Sequence, residues 1–423
     1  MQLVYKFNIR CDIETRRKLL EWCKVSKNLY NQALFTYKRE LKEHQVYLSY
    51  FDLDKAMKIT TNLEGEINYK LLKAQVAQQC LRGLSANTSS YFNAIKEWKQ
   101  RPDKFNGMPK LPNYVKSKTR QLVFTNQACT IKDGKIFFER NASIKIPQYE
   151  KYAESFKAFN QVRVLPKYDG EVLECEIVYT TNETNSEVDS MRFASIDLGV
   201  DNLATMVTDY SNPIIYNGKA VKSINQFWNK QTANLKSEIK KSQNKGTSKK
   251  LTKLNNKRNA RINDIFHKVS RDIVNNLLAN NVGNLVVGYN KGWKDSIELG
   301  NKNNQTFVQI PFARLISFLE YKCRKVGINF ILNEEAYTSK CDSLALEKIC
   351  KHDEYAGKRI KRGLFQSSTN KLINADVNGA FNIMRKVVDD SYANKIVNSG
   401  LLFNPSKVKI FEKRTYSKII QVA

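Results

Sequence analysis

Phe193-Ala-Ser-Ile-Asp-Leu-Gly-Val-Asp-Asn-Leu-Ala-Thr205 reads as a strand, a turn and the start of a second strand. Its first apolar run ends in one acid, Asp197, and Gly199 two residues later lets the backbone bend. Residues 192–197 and 203–208 are therefore expected to pair as a hairpin, with a third strand near 213–216. Helical periodicity then runs over about 224–280. A buried strand, Asn284-Leu-Val-Val-Gly288, follows, then a helix near 311–326 and another buried strand at 328–333. Finally Lys371-Leu-Ile-Asn-Ala-Asp-Val-Asn-Gly-Ala-Phe-Asn-Ile383 opens an apolar helical run.

The resulting order, β-β-β-α-β-α-β-α, is that of a ribonuclease H-like fold, in which carboxylates cluster at the ends of central strands. Two acids stand at such places. Asp197 ends its strand, and Asp376 sits at a helix start, where the dipole favours an acid. Taken singly each has an ordinary reading, Asp197 as a turn former and Asp376 as an N-cap. Brought together by separate elements they would form a divalent-metal site. Cleaving a phosphodiester takes an in-line water or hydroxyl and charge stabilisation on both flanking oxygens, which two Mg2+ ions about 3.5–4 Å apart provide. Hard Mg2+ prefers oxygen ligands and keeps several waters, so three well-placed carboxylates suffice.

Composition agrees with nucleic acid. The 423 residues exceed what one core usually organises, so several domains are expected. There are 70 Lys and Arg against 41 acids, a net charge of +29, more than solubility requires. A polyanion bound over much of the surface is the reading this favours. Within residues 236–272 there are 12 Lys or Arg against 3 acids, too lopsided for a merely solvated helix face. Lys240, Lys241, Lys249, Lys250, Lys253, Lys257, Arg258 and Arg261 are the candidate phosphate contacts there. No run of about 18 apolar residues suggests a membrane span, and Met1-Gln-Leu-Val-Tyr-Lys6 alternates like a strand rather than a signal peptide. The eight Cys show no CxxC pair and read as reduced thiols of a cytoplasm. No Walker, GxGxxG or His-based triad pattern appears, so an ATPase, a dehydrogenase and a serine hydrolase are not indicated.

The N-terminal half reads differently. Residues 1–10 form a strand, 14–47 and about 68–99 are helical, and Arg101–Pro112, with three Pro and a Gly, is a loop. From 120 to 180 the strands are short and turn-bounded, with Asp133-Gly134 a hairpin turn. A small β-barrel is expected, joined by the first strand and interrupted by a helical insertion. Lys24, Lys27, Asn28, Tyr30 and Asn31 suit a helix touching a duplex, and Tyr30 and Asn31 equally suit packing and capping.

Phe193–Thr205 and Asn374–Ile383 resemble the first and third RuvC motifs of the TnpB proteins, RNA-guided nucleases encoded by insertion sequences. Arg261–Ser270, Asn303–Pro311 and Glu334-Glu-Ala-Tyr-Thr-Ser-Lys340 resemble the same family. The likeness spans roughly residues 190–390, and compact type V CRISPR effectors share this layout. It implies a guide RNA, a double-stranded DNA target read by base pairing, a short adjacent motif read by the protein, and two Mg2+ ions at a single RuvC site. It also implies a prokaryotic, cytoplasmic, nucleoid-associated protein with no membrane partner.

Two departures from the family pattern matter. The second motif usually ends its strand in Glu, and here that position holds Gly288. Glu335, with Glu334 beside it, ends the next strand and is the candidate replacement. Alternation of side chains lets only one of the two reach the metals. The family usually carries a four-Cys zinc element, and here only Cys341, Cys350 and His352 stand in that region, so zinc is not expected.

The expected organisation is mixed α/β and multidomain. Residues 1–10 and 113–185 form the barrel, 11–112 the helical insertion, 190–340 and 374–390 the RuvC nuclease. Residues 341–373 form a target-binding insert with Lys358, Arg359, Lys361 and Arg362, and 391–423 a C-terminal tail. Asn290-Lys-Gly-Trp-Lys294 reads either as a lid, with Trp293 stacking on a base beside Lys294, or as a loop anchored by one aromatic. Three functions follow in order: an RNA-guided DNA endonuclease, a catalytically inactive RNA-guided DNA-binding repressor, and a DNA-strand transferase. A type V effector using a CRISPR RNA is a variant of the first.

Overall fold

A computed structural model describes residues 1–183, 186–243, 248–290 and 309–408. The chain divides into two units, Met1–Thr181 and Asn182–Ala423. Among the described residues no helix is long and apolar enough to cross a membrane.

In the first unit, strand β1 (Gln2–Asn8) is followed by three helices, α1 (Ile13–Glu43), α2 (Tyr50–Met57) and α3 (Ala74–Gln100). Asp12 caps α1 by accepting from Thr15 N at 2.7 Å, and Ser49 with Asp52 forms a reciprocal capping box on α2. Strands β2 (Leu122–Thr125), β3 (Thr130–Lys132), β4 (Lys135–Glu139) and β5 (Ala142–Lys145) lead to helix α4 (Tyr149–Phe156). Strands β6 (Phe159–Lys167) and β7 (Val172–Thr180) complete the unit. They form two sheets, ordered β1-β7-β6-β2 and β3-β4-β5. β1 runs antiparallel to β7 from Gln2↔Thr180 to Asn8↔Glu174, so the helices interrupt a sheet. Asp133 and Gly134 both take positive φ at the β3–β4 turn, as a two-residue hairpin demands. One core joins helices and sheet, with Trp22, Leu29, Leu81, Phe124 and Phe138 buried in it.

The second unit is built on a six-stranded sheet. Its elements are β8 (Asp189–Leu198), β9 (Asn202–Thr208), β10 (Ile214–Asn217), α5 (Lys219–Gln243), α6 (Lys249–Ala279), β11 (Val282–Gly288), α7 (Phe312–Lys325) and β12 (Asn329–Asn333). Three short strands, β13 (Lys358–Lys361), β14 (Leu364–Gln366) and β15 (Leu372–Asn374), make a separate antiparallel sheet. Helices α8 (Ala375–Arg385) and α9 (Asp390–Ser399) and strand β16 (Ser406–Val408) follow. The large sheet is ordered β12-β11-β8-β9-β10-β16. β8, β9 and β10 are antiparallel neighbours, while β11 is parallel to β8, β12 to β11 and β16 to β10.

Period-two alternation along β8 sorts its side chains. Ala194, Ile196 and Leu198 enter a core with Ile262, Phe266, Leu277 and Phe312 of α6 and α7. Phe193 packs on the opposite face, in a cluster containing Val377, Phe381 and Met384 of α8. Asp197 follows Phe193 in alternation and therefore points to the α8 face.

Four details differ from the sequence reading. The strand expected as buried at 328–333 is the half-exposed edge strand β12, with Asn329 and Leu332 exposed. The helical stretch expected over 224–280 is two helices. The charged segment 358–374 holds three strands, each too short to show a period. Residues 391–423, expected as a tail, supply most of α9 and the edge strand β16, with 409–423 outside the described residues.

Candidate active site

Three acids from three elements converge beside the first turn of α8. Asp197 comes from the end of β8. Ser195, two residues earlier, donates to Ala380 O at 2.6 Å and pins β8 to the helix. Gly379 makes the approach possible, since a Cβ there would lie 3.1 Å from Asp197 Oδ2. Burial, then the nearby Glu335 and Asp376 carboxylates, push the Asp197 carboxyl well above its usual range, and Arg359 opposes them.

Asp376 sits in the first turn of α8, where Asn374 Oδ1 caps the helix by accepting from Asp376 N (3.0 Å) and Val377 N (3.2 Å). Its Oδ2 accepts from Asn202 Nδ2 at 2.5 Å. Its Oδ1 lies 3.6 Å from the Arg359 guanidinium.

Glu335 lies two residues beyond β12, whose last residue, Asn333, is opposite Gly288. Asn290 Oδ1 accepts from Glu335 N at 3.1 Å. The side chain turns inward, and its Oε2 is buried with no hydrogen-bond partner among the described residues. Burial pushes its carboxyl up to about 7, with Lys386 working the other way. A Cβ on Gly288 would overlap Ile383 Cδ1 and lie 2.8 Å from Glu335 Oε2. Gly288 is thus the opening into which the Glu335 carboxylate fits. Glu334 is exposed, and its backbone oxygen accepts from Lys386 Nζ at 2.8 Å. The structure does not bring Glu334 into the cluster.

The chemistry of this set suits a divalent cation. Three carboxylates share one place, one oxygen lacks a donor among the described residues, and a second acid is raised by burial and by its two acidic neighbours. Among the described residues no three His, Cys, Asp or Glu side chains already stand as a finished ligand cage. Asp376 is instead turned to Asn202 and Arg359.

The basic residues divide. Lys250, Lys253, Lys257 and Arg261 are exposed on one face of α6, at spacings of three, four and four. Lys268 and Arg271 continue that face. Lys240, Lys241 and Lys249 are also exposed. Arg258 does not belong with them. Its guanidinium donates to Asn225 Oδ1 (2.8 Å) and Gln309 O (2.9 Å) and stacks 4.7 Å from the Trp228 ring. This half-buried residue, expected as a phosphate contact, has its guanidinium engaged within the fold. Trp293 and Lys294 lie outside the described residues. Lys358, Arg359, Lys361 and Arg362 are exposed on and beside β13, and Arg362 pairs with Asp201, which also holds Lys222. In the other unit, Asn31 exchanges both of its amide hydrogen bonds with the Val115 backbone, so it is structural.

Within 341–373 the organising group is Asp342. It is fully buried and accepts from Leu344 N, Ser367 Oγ, Ser368 N and Ser368 Oγ. Cys341 is buried with its Sγ 3.6 Å from Lys348 O and 3.7 Å from Cys350 O. Cys350 Sγ lies 3.4 Å from His352 Nε2.

Sequence reasoning missed Asn202, Gly379, Asn378 and Asn382. Asn202 reads as a turn former. The other three carry a helical signal: Gly379 follows Asp376 by three, and Asn382 follows Asn378 by four.

Residues 176–294 match the family described as OrfB_IS605, a probable transposase, and residues 312–383 match the Cas12f1-like TNB domain. A TnpB-like protein, ORF457 of Acidianus two-tailed virus, is 24% identical over 205 residues, 47% of this chain and 42% of that protein. The chain resembles the TnpB and Cas12f1-like proteins over residues 176–294 and 312–383. It spans about two fifths of the length of that curated relative. In structure it is similar to the protein of a Cas12f1-sgRNA-target DNA complex, with a TM-score of 0.52 at 15% identity, covering 88% of this chain and 83% of the other. That likeness shows a shared mixed α/β fold. The TnpB family is one of RuvC-type nucleases that generally use divalent metals.

Proposed function

We propose that this chain is an RNA-guided DNA endonuclease of the TnpB family. Its single RuvC site, on a ribonuclease H-like sheet, would hydrolyse both strands of a guide-matched duplex. The observation that carries the reading is the buried Glu335 Oε2, without a partner among the described residues, set beside Gly288 and near Asp197. A site that had merely lost its Glu at 288 would have no reason to bury another carboxylate in the same space, where desolvation opposes it.

In this reading Asp197, Glu335 and Asp376 would hold two Mg2+ ions, which would supply an activated water and charge neutralisation at the leaving oxygen. The chain's own residues do the rest. Asn202 fixes one oxygen of Asp376 and leaves the other toward the substrate side. Arg359, brought to Asp376 by β13, meets the scissile phosphate and exchanges a carboxylate partner for a phosphate one. Lys358, Lys361 and Arg362 touch the backbone beside it. The α6 face tracks a strand or heteroduplex by its phosphates without reading sequence.

Residues 1–10 and 113–185 serve as the barrel and 11–112 as the helical insertion, gripping guide RNA and the motif-bearing duplex. Residues 190–340 and 374–390 are the nuclease, and 341–373 the target-binding insert. Zinc has no part in this reading. Cys341 faces two backbone carbonyls, and Asp342 already knits the insert together.

The test is cleavage of a matched plasmid by the chain purified with its neighbouring RNA, with and without Mg2+, beside Asp197→Ala and Glu335→Ala. Metal-dependent cutting lost in both variants is expected. Guided binding without cutting in the wild type would mean that the chain is an inactive DNA binder. Cutting that survives Glu335→Ala would remove Glu335 from the site.

A further inference from the structure

Asn378 and Asn382 are the two buried amides of α8, each with no exposed surface. Both are directed at the segment that carries Glu335. Asn382 Nδ2 donates to Thr338 O (2.9 Å) and to Cys341 O (2.7 Å), while its Oδ1 accepts from Arg385 (2.7 Å). Asn378 Nδ2 donates to Cys341 O (2.9 Å), and its Oδ1 accepts from Ser343 N (3.0 Å). Thr338 returns the connection to the acid. Its N and Oγ1 both donate to Glu335 O, at 3.2 and 2.8 Å.

The segment from Glu334 to Ser343 is neither helix nor strand, so no ladder of its own fixes the direction of Glu335. The helix fixes it. α8 carries Asp376 in its first turn and Asn382 in its second, and so sets two of the three carboxylates at once. Residue choice agrees with this. Asn is a poor former of helix interiors, yet α8 has two in the middle of its 11 residues. A hydrocarbon at 382 would take the Asn382 donor from Thr338 O and leave Cys341 O to Asn378 alone, and Asp would set acceptor against acceptor.

We infer that Asn382, seconded by Asn378, is the positioning residue that holds the Glu335 carboxylate against Asp197, so that the third acid is delivered by α8 rather than by the strand it follows. The inference rests on Glu335 being the third carboxylate, and the experiment separates the two.

Purified full-length chain is titrated with Mn2+, free ion being read by electron paramagnetic resonance, so no cleavage is needed. The variants are Asn382→Ala, Glu335→Gln, their double, Thr338→Val and Thr338→Ser. Asn382→Ala is expected to weaken Mn2+ binding about 10- to 100-fold, the range for residues that orient metal ligands. Thr338→Val should weaken it less, and Thr338→Ser should restore it. The double variant should bind no more weakly than Glu335→Gln alone, because both changes act through one carboxylate.

Losses that add in the double variant would overturn the positioning role, as would wild-type binding by Asn382→Ala. If Asn382→Ala does not fold, the Thr338→Val and Thr338→Ser pair decides, and equal binding by those two overturns it. Wild-type Mn2+ binding by Glu335→Gln would instead remove the third carboxylate itself, and the inference with it.

Discussion

Glu335→Gln is expected to abolish cleavage and to stabilise the metal-free chain, for one reason. The Glu335 carboxyl is raised from 4.5 to about 7, mainly by burial, and its Oε2 has no donor among the described residues. A carboxyl whose folded pKa lies above its unfolded value stabilises the fold fully below the unfolded pKa. That contribution is lost as pH rises through the folded one. The window is therefore about 4.5 to 7. At about 1.36 kcal/mol per pH unit, the gap caps the loss near 3 kcal/mol. Residual solvent contact of the side chain makes this an upper value. Gln cannot ionise and escapes the loss. Urea unfolding in EDTA, run at pH 4.5 and pH 8 on both proteins, reads the effect. The two should nearly coincide at pH 4.5, and Gln should lead by about 2–3 kcal/mol at pH 8. Excess Mg2+ at pH 8 should return stability to the wild type by mass action and not to the variant. An advantage equal at both pH values, or none at pH 8, would refute the argument that Glu335 is a desolvated acid awaiting a cation.

Gly379→Ala should leave stability about unchanged, since ~1 kcal/mol of helix propensity is gained while the new Cβ crowds Asp197 Oδ2. Cleavage should still fall about 10-fold or more, as displaced catalytic groups lose rate steeply. Gly288→Ala overlaps Ile383 and Glu335, costing about 1–3 kcal/mol of overpacking. Adding Ile383→Val should recover the melting temperature and not the cleavage. Asp342→Ala strips the buried partner of Leu344 N and of Ser367 and Ser368, and should cost about 2–4 kcal/mol. Faster proteolysis within 341–374 would report it, and EDTA on the wild type should not reproduce it. Replacing Lys253, Lys257 and Arg261 by Gln should weaken nucleic-acid binding alike for all sequences. The salt dependence should flatten by about 0.9 in log–log slope for each phosphate that is no longer neutralised.

The hairpin of β8 and β9 was readable because an apolar run closed by Asp197 and Gly199 has few other solutions. Asp376 was readable as an acid at a helix start, though the cap is Asn374 and not Asp376 itself, and alternation said that one of Glu334 and Glu335 would turn inward without saying which. What stayed hidden depends on partners distant in sequence. Nothing in Ser406-Lys-Val408 announces that it lies parallel to β10. The Lys358–Lys361 strand is fully exposed and charged, so no burial pattern marks it. Arg258 counts as one more positive charge until Trp228, Asn225 and Gln309 O are seen around it. Asn202 resembles any turn residue until Asp376, 174 residues away, is found at its amide.

In the proposed reading, the exchange of a Glu at 288 for one at 335 is geometrically small. β11 and β12 are parallel and in register, with Gly288 opposite Asn333, so both strands end at the same edge of the sheet, about 4.8 Å apart. A carboxylate two residues beyond β12 can cross that spacing if nothing stands between. Gly288 is the residue that leaves nothing there. The same move creates a new requirement, because a group past the end of a strand has no ladder to aim it. The polar face of α8 answers that requirement with Asn378 and Asn382, and Asn290 holds Glu335 N from the β11 side. A Gly at one strand end, a Glu after the next and two buried amides on the facing helix are thus parts of one arrangement. Placing Glu at 288 alone would set two carboxylates in one space, against Ile383, rather than complete the site.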